Sequence, residues 1–151
     1  MKKIILLLCF FSFVGCTGFE PVFSTKKLSF YIEGIKNVKQ DKVTRKLKKK
    51  LINNNLKDTN KKKYFLEIDT TKKEEITSKN PKGEALTYEV SLNVTINVFY
   101  NDENLNLINL KESFNFNNQS NKFDLNQYKK SVENDLIDKI YENLIIKLQT
   151  L

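Results

Sequence analysis

Polar and apolar residues alternate most regularly between residues 86 and 100. Apolar side chains occupy every even position from Leu86 to Tyr100, whereas threonine, glutamate, serine and asparagine occupy most of the odd positions. Successive side chains of a β-strand point to opposite faces, so this pattern predicts a long strand with one packed face and one wet face. Such a strand is typical of an antiparallel sheet that is covered on one side only.

Two neighbouring segments also carry strand patterns. Residues 64–71 alternate between apolar and polar side chains, and the charged segment 72–83 after them contains the turn signal Asn-Pro-Lys-Gly. We therefore predict a strand followed by a loop. Residues 105–116 form a second long strand candidate after a hairpin turn at residues 101–104. Its less regular apolar pattern predicts a bulge near Ile108.

Two further segments have apolar residues at helical spacing. Residues 41–56 predict a basic amphipathic helix, and Asp124 can cap a final helix of roughly two dozen residues, about 36 Å long. Residues 28–32 are a short strand candidate that Gly34 ends. The order β-α-β-β-β-α predicts one α+β domain over residues 28–151, a mostly antiparallel four-stranded sheet with two helices on one face.

The first residues differ from the rest of the chain. Lys2 and Lys3 precede an apolar run over residues 4–14 that is too short to cross a bilayer as a helix. This pattern predicts a signal peptide at residues 1–15. The small residues before Cys16 resemble a bacterial lipobox, in which the cysteine is acylated and becomes the first mature residue.

The lipobox resemblance implies a lipid anchor. Acyl chains such as palmitate on Cys16 would hold the protein at a membrane, because each buried methylene contributes about 0.8 kcal/mol. Residues 16–27 are then a lipidated tether. Thr17 follows the cysteine instead of the aspartate that retains lipoproteins in the inner membrane. The resemblance therefore implies the outer membrane as the destination.

Composition removes several kinds of catalytic site. The chain has no histidine and two cysteines, of which Cys9 lies in the signal run. Zinc sites of cysteine and histidine, Ser-His-Asp triads and Cys-His pairs are therefore excluded. The closest carboxylate pairs are Glu67 with Asp69, on the wet face of a strand, and adjacent Glu74 and Glu75, in the predicted loop. We predict no catalytic residues, no metal and no cofactor.

Net charge indicates an anionic partner. The chain has 26 lysines and arginines against 18 acidic residues, and removing Lys2 and Lys3 leaves a formal charge of +6. In a cytosolic protein this balance would suggest nucleic acid. An exported, membrane-tethered protein does not meet nucleic acid, so phosphorylated lipid headgroups or another anionic envelope component are the better candidates.

The segment after the lipobox resembles a known family. Cys16-Thr-Gly-Phe-Glu-Pro-Val-Phe23 is similar to the start of mature lipopolysaccharide-assembly lipoproteins of the LptE family, which commonly read Cys-Gly-Phe-x-Pro. Here Thr17 is inserted after the cysteine. The Thr44-Arg45 pair in the first helix and Asn126-Gln-Tyr128 in the last also resemble the family, as does the order of elements.

This resemblance implies a non-enzymatic, periplasm-facing outer-membrane lipoprotein. Members of the family plug the lumen of the outer-membrane β-barrel LptD, help it assemble, and bind lipopolysaccharide on its way to the cell surface. The alternative is an exported lipoprotein that binds or hands over lipid in another envelope transport system.

The predicted topology suggests where lipopolysaccharide binds. Alternating element directions place three connections at one end of the domain, at residues 33–41, 72–83 and 117–123. The lysines predicted to bind lipid A phosphates there are Lys72, Lys73, Lys79, Lys82 and Lys122. Solubilising surface lysines explain this cluster equally well. A competing basic patch, residues 61–63, lies at the opposite end.

Overall fold

The computed structural model describes residues 28–55, 57, 58 and 60–151. The predicted signal peptide and tether, including Cys16, lie outside these residues, as does Leu56 at the end of the predicted first helix. The described residues form the predicted order β-α-β-β-β-α. The elements are β1 (Phe30–Asn37), α1 (Lys42–Asn53), β2 (Lys62–Lys79), β3 (Ala85–Tyr100), β4 (Glu103–Asn117) and α2 (Lys122–Gln149).

The four strands form one sheet in the order β1-β2-β3-β4. β1 and β2 are parallel, whereas β2–β3 and β3–β4 are antiparallel. Parallel neighbours need a crossover connection, and α1 supplies it between β1 and β2. The predicted mostly antiparallel sheet with two helices is confirmed, with one parallel pair at its β1 edge.

The core lies between the two helices and one face of the sheet. On β3, Val90, Val94 and Ile96 are buried, and Asn93 and Thr95 between them are exposed. The predicted division between even and odd positions is therefore confirmed for the middle of the strand, whereas Leu86 and Tyr100 at its ends are exposed and Ser91 is buried. Each buried aliphatic side chain contributes about 1.5–3 kcal/mol. β2 adds Tyr64, Leu66 and Ile68, α1 adds Val43, Leu47 and Leu51, and α2 adds Leu136, Ile140, Leu144 and Leu148.

A buried polar network fixes the start of α1 against β2. Asp41 is the N-cap, and its carboxylate accepts hydrogen bonds from Thr44 N–H at 2.8 Å and from Thr70 Oγ1 at 2.7 Å. The Thr44 and Thr70 hydroxyls lie 2.6 Å apart and both are buried. Burial by itself raises the pKa of Asp41, but the hydrogen bonds from Thr44 and Thr70 outweigh it, so the pKa lies below its ordinary value.

Two strands are longer than predicted. β1 continues through Gly34 to Asn37, with an irregular register between Ile32 and Gly34, so the prediction that Gly34 ends this strand is wrong. β2 continues to Lys79, so the predicted loop from residue 72 is wrong as well. The charged half of β2 lacks an apolar pattern of its own, but it forms a ladder with the first half of β3.

The β3–β4 connection is a tight turn. Asn101 and Asp102 both have positive φ, of 51° and 65°, as in the two-residue turns that join antiparallel strands. The register irregularity lies between Val98 and Phe99. The predicted bulge near Ile108 is wrong, because this residue pairs regularly with Ile96.

The final helix begins slightly earlier than predicted. Asn121 is its N-cap and accepts a hydrogen bond from Phe123 N–H at 2.9 Å. Asp124 therefore lies in the first turn, where its negative charge favours the helix dipole without capping the helix. The helix has 28 residues, which at 1.5 Å each is about 42 Å and suffices to cross the sheet.

Candidate functional site

The β2–β3 hairpin extends far beyond the end of β1. Asn37, the last residue of β1, pairs with Ile68, whereas β2 continues for eleven further residues to Lys79. The predicted grouping of three connections at one end is therefore only partly right. The β1–α1 connection lies beside the middle of β2, where Val38 N–H donates to the Ile68 carbonyl at 2.9 Å.

The two other predicted connections do meet. We define the hairpin end as the β2–β3 turn, residues 80–84, together with the β4–α2 connection, residues 118–121, and the residues that flank them. Asn118 joins these two parts, because its N–H donates to the Leu86 carbonyl at 2.7 Å and its Nδ2 to the Ala85 carbonyl at 2.8 Å.

The β2–β3 turn is held by its own side chains. Asn80 Oδ1 accepts the backbone N–H groups of Lys82 and Glu84, each at 2.9 Å. Gly83 has φ of 83°, a left-handed conformation that glycine adopts without strain. The turn therefore presents Lys82 from a defined backbone.

Three of the five predicted binding lysines lie at the hairpin end. Lys79 ends β2, Lys82 lies in the turn, and Lys122 begins α2. All three are exposed, and within the described part of the chain none has an ion-pair partner. Unpaired ammonium groups are free to meet an anionic ligand. Lys122, at the start of α2, also interacts unfavourably with the positive end of the helix dipole. A bound anion would offset this repulsion.

The other two predicted lysines are already paired. Lys73 lies on the helix-free face of β2, with its Nζ 2.5 Å from Glu75 Oε1. Lys72 faces α2, and its Nζ donates to Glu133 Oε2 at 2.7 Å. Their place in a strand follows from the ladder with β3, not from their own sequence. The structure therefore separates these two side chains from the lysines at the hairpin end.

Glu133 connects three elements through its two oxygens. It lies on α2 with 5% of its surface exposed, and it binds Lys46 of α1 through Oε1 at 2.7 Å as well as Lys72 of β2. Burial raises the pKa of Glu133, but the hydrogen bonds and charges of the two lysines outweigh this effect. The pKa is therefore held below its ordinary value.

Glu133→Gln is expected to lower the free energy of unfolding at pH 7 by about 2 kcal/mol, because a neutral amide loses its charge-assisted hydrogen bonds. A carboxylate with a depressed folded-state pKa stabilises the fold above its unfolded-state pKa. This contribution is lost as pH falls below about 4.5 and through the lower folded-state value. Stability of the variant should therefore depend less on pH in this acid range, as measured by urea unfolding.

Glu142→Gln is the control, because Glu142 is an exposed carboxylate on the same helix. This substitution should leave both the stability at neutral pH and its acid dependence close to those of the original protein. Superimposable profiles for the two variants would contradict the role of Glu133.

Each lysine of the competing basic patch at the opposite end has a partner. Lys61 lies 3.6 Å from Asp58, and Lys63 lies 3.8 Å from Glu33. Lys62 Nζ donates to the Leu151 carbonyl at 3.0 Å. All three therefore have partners, unlike Lys79, Lys82 and Lys122.

Apolar side chains accompany the free lysines at the hairpin end. Phe123 is 68% exposed, and Ile76, Leu86 and Tyr128 are exposed as well. Beneath them, Phe116 stacks on Tyr88 and packs edge-on against Tyr128, with ring centroids 5.7 and 5.4 Å apart. Phe123 was not among the predicted site residues. A large apolar side chain in the otherwise polar first turn of a helix is the signal that could have indicated it. The hairpin end thus combines cations with exposed apolar surface.

The helix-free face of the sheet is mostly polar, except near the β3–β4 turn. Thr95 Oγ1 donates to Asn109 Oδ1 at 3.0 Å, and Asn93 beside them is exposed. Near the turn, Phe65 and Phe99 interrupt this pattern and line an open pocket of about 300 Å³. These two aromatic residues occupy odd, outward positions of their strands, and this was the signal that sequence analysis missed.

The described residues contain neither a metal-binding cluster nor a helix that could span a membrane. No cluster of three or more acidic, cysteine or histidine side chains among them has a metal-binding arrangement. Neither α1 nor α2 combines the length and the apolar character that crossing a membrane requires.

Comparison with protein families identifies the chain. The LptE family model, whose description is lipopolysaccharide-assembly, matches residues 29–150, which is most of the sequence. This protein belongs to the LptE family. No curated protein matches the sequence.

Several solved structures with a similar fold are described as lipoproteins. The structure of this LptE-family protein aligns with that of rare lipoprotein B from Shewanella oneidensis at 14% identity and a TM-score of 0.57. The alignment covers 77% of this chain and 94% of that one. A minor lipoprotein from Acinetobacter baumannii aligns at 17% identity and a TM-score of 0.58, covering 82% and 92%. Lipoprotein B from Nitrosomonas europaea aligns at 13% identity and a TM-score of 0.60, covering 88% and 91%. At such low identities, the similarity extends to the fold alone.

Proposed function

We propose that this LptE-family protein is a non-enzymatic outer-membrane lipoprotein that faces the periplasm. A lipid on Cys16 anchors it, and its folded domain plugs an LptD-like β-barrel, helps the barrel assemble and binds lipopolysaccharide during delivery to the cell surface. Family membership over residues 29–150 supports the role in lipopolysaccharide assembly.

The hairpin end supports the choice of ligand. Lipopolysaccharide carries phosphates next to acyl chains, and the hairpin end carries Lys79, Lys82 and Lys122 together with exposed Phe123. The unpaired ammonium groups attract phosphate through a field that salt screens over about 8–10 Å. The apolar side chains offer a surface on which the first methylenes of an acyl chain lose contact with water. This pairing of free cations with apolar surface is the observation that carries the proposal.

The helix-free face supports the barrel as a partner. The interior of an outer-membrane barrel is polar and wet, so a plug needs a polar surface toward its wall. Hydroxyl and amide groups of Asn93, Thr95 and Asn109 provide such a surface on a rigid sheet.

Charge reversal at the hairpin end tests the ligand assignment. Lys79→Glu, Lys82→Glu and Lys122→Glu combined should weaken lipopolysaccharide binding by about tenfold to a hundredfold, since each exposed ion pair contributes roughly 0.5–1 kcal/mol. Binding of labelled lipopolysaccharide to the purified protein measures the loss. Added salt should weaken lipopolysaccharide binding by the original protein more than binding by the variant.

Reversal of Lys61, Lys62 and Lys63 to glutamate is the matched control, with the same change in net charge. It should leave binding close to the original level. A glutamate at position 122 interacts favourably with the positive end of the α2 dipole, so this substitution is not expected to impair folding. Equal losses of lipopolysaccharide affinity in the two triple variants would show that binding depends on net charge alone. That result would contradict the assignment to the hairpin end.

Co-purification tests the barrel. The protein, extracted in detergent from its own membrane, should remain bound to an LptD-like barrel, and the hairpin-end variant should remain bound as well. Lipopolysaccharide binding without any associated barrel would favour the alternative, a lipoprotein that hands over lipid in another envelope transport system.

A further inference from the structure

The pocket near the β3–β4 turn is lined by more acidic than basic residues, although the protein as a whole is basic. It opens on the helix-free face, and its volume of about 300 Å³ is at the small end of ligand sites. Its lining residues are Lys36, Phe65, Glu67, Phe99 and Asp102. Two carboxylates and one ammonium leave one net negative charge, in a chain whose formal charge is +8.

The aromatic walls are held in place by the backbone. Phe65 lies opposite Gly34 in the β1–β2 ladder, and a Cβ at Gly34 would lie 2.7 Å from the Phe65 ring. Only glycine allows the ring to lie this close to β1. The Phe99 ring meets Phe65 edge-on, with centroids 6.3 Å apart. Two ring surfaces are therefore preformed beside the carboxylates.

The carboxylates are also positioned. Glu67 Oε1 lies 2.9 Å from Lys36 Nζ, and this ion pair holds the pKa of Glu67 below its ordinary value, so the carboxylate is charged at neutral pH. Asp102 projects from the tight turn, where its φ is 65°. Two ion pairs outside the pocket that involve β1, β2 or their connection, Lys63–Glu33 and Lys39–Asp69, are each neutral as a pair.

We infer that this pocket binds an arginine side chain presented by a protein partner. A guanidinium stacks on aromatic rings and donates paired hydrogen bonds to carboxylates, and both groups line the pocket. Net negative charge disfavours phosphate and carboxylate ligands. The volume suits one side chain, as expected of an anchor residue at the centre of an interface.

Lys36 competes with the incoming arginine. Its ammonium occupies Glu67, but its side chain is 67% exposed, so it can swing into solvent at little cost. Removing this lysine while keeping an unbranched chain, as in Lys36→Met, should therefore strengthen arginine binding several-fold.

Titration of the full-length protein, produced without the barrel and kept in detergent, with N-acetyl-arginine amide tests the inference. Saturable shifts of the Phe65 and Phe99 ring resonances are expected in NMR spectra, and the uncharged analogue N-acetyl-citrulline amide should bind about tenfold more weakly. Glu67→Gln and Asp102→Asn should each weaken binding of arginine amide. Asparagine tolerates the left-handed conformation at position 102, so the turn is retained.

Glu75→Gln is the control, because Glu75 lies on the same strand outside the pocket, paired with Lys73. It should leave arginine binding unchanged. Equal affinity for the arginine and citrulline amides, or tighter binding of a neutral sugar such as methyl glucoside, would overturn the inference. So would unchanged binding in Lys36→Met or in Asp102→Asn.

Naming the barrel as the partner that supplies the arginine rests on the proposed function. The double variant Glu67→Gln with Asp102→Asn should then release the barrel during detergent extraction, whereas Glu75→Gln should not. Retention of the barrel by the double variant would overturn the assignment of the pocket to this interface. If the original protein binds arginine amide but is extracted from its own membrane without any barrel, the proposed function is contradicted. The inference that the pocket binds arginine would still hold.

Discussion

Ile96→Asp is expected to lower the free energy of unfolding by about 4 kcal/mol or more. Ile96 is fully buried on the packed face of β3, between the sheet and the helices. The substitution removes a large aliphatic side chain and places an unpaired carboxylate where water does not reach. Urea unfolding of the purified protein, followed by circular dichroism, measures the loss.

Asn93→Asp introduces the same charge on the other face of the same strand. Asn93 is exposed and lies opposite Lys111, so the new carboxylate has water and a cation within reach. We expect a change in unfolding free energy of about 0.5 kcal/mol or less. Comparable destabilisation by the two aspartates would contradict the assignment of the faces.

Cys16→Ala is expected to abolish lipid attachment and to remove the protein from the outer-membrane fraction. In the proposed anchor, two or three acyl chains would provide the anchoring free energy, at about 0.8 kcal/mol for each buried methylene, and alanine has no thiol to form the thioether to the lipid. Mass spectrometry of the N-terminal peptide and fractionation of the membranes measure the two effects.

Cys9→Ala is the matched control, because Cys9 lies within the apolar run of the predicted signal peptide. Alanine is apolar, so export and lipidation should continue in this variant. An unmodified Cys16 in membrane-bound protein would contradict the anchor.

The β3 strand shows how much of the fold is readable from local sequence. Its alternation sets the buried face because the period of two residues is a property of the strand itself. Asp41 acts as a cap for a similarly local reason, since its carboxylate accepts a hydrogen bond from the N–H group of Thr44, three residues away. The element order, the two helices and the face on which they pack follow from such patterns.

β2 shows where local sequence is insufficient. Its second half, rich in lysine and glutamate, carries no strand pattern and was predicted as a loop. It is a strand because the first half of β3 runs beside it and pairs with its backbone. The hydrogen bonds between these two strands join backbone groups, so a pattern of apolar and polar side chains does not reveal them.

The candidate site divides in the same way. Sequence alone determined the excess of lysine, the signal and lipobox pattern, and the resemblance to the LptE family. Tertiary structure decided which lysines are free, because Glu133 engages Lys72 across 61 positions of the chain. It also assembled the acidic aromatic pocket from β1, β2, β3 and a turn. Both outcomes depend on contacts between residues far apart in the chain, and only the folded sheet brings these residues together.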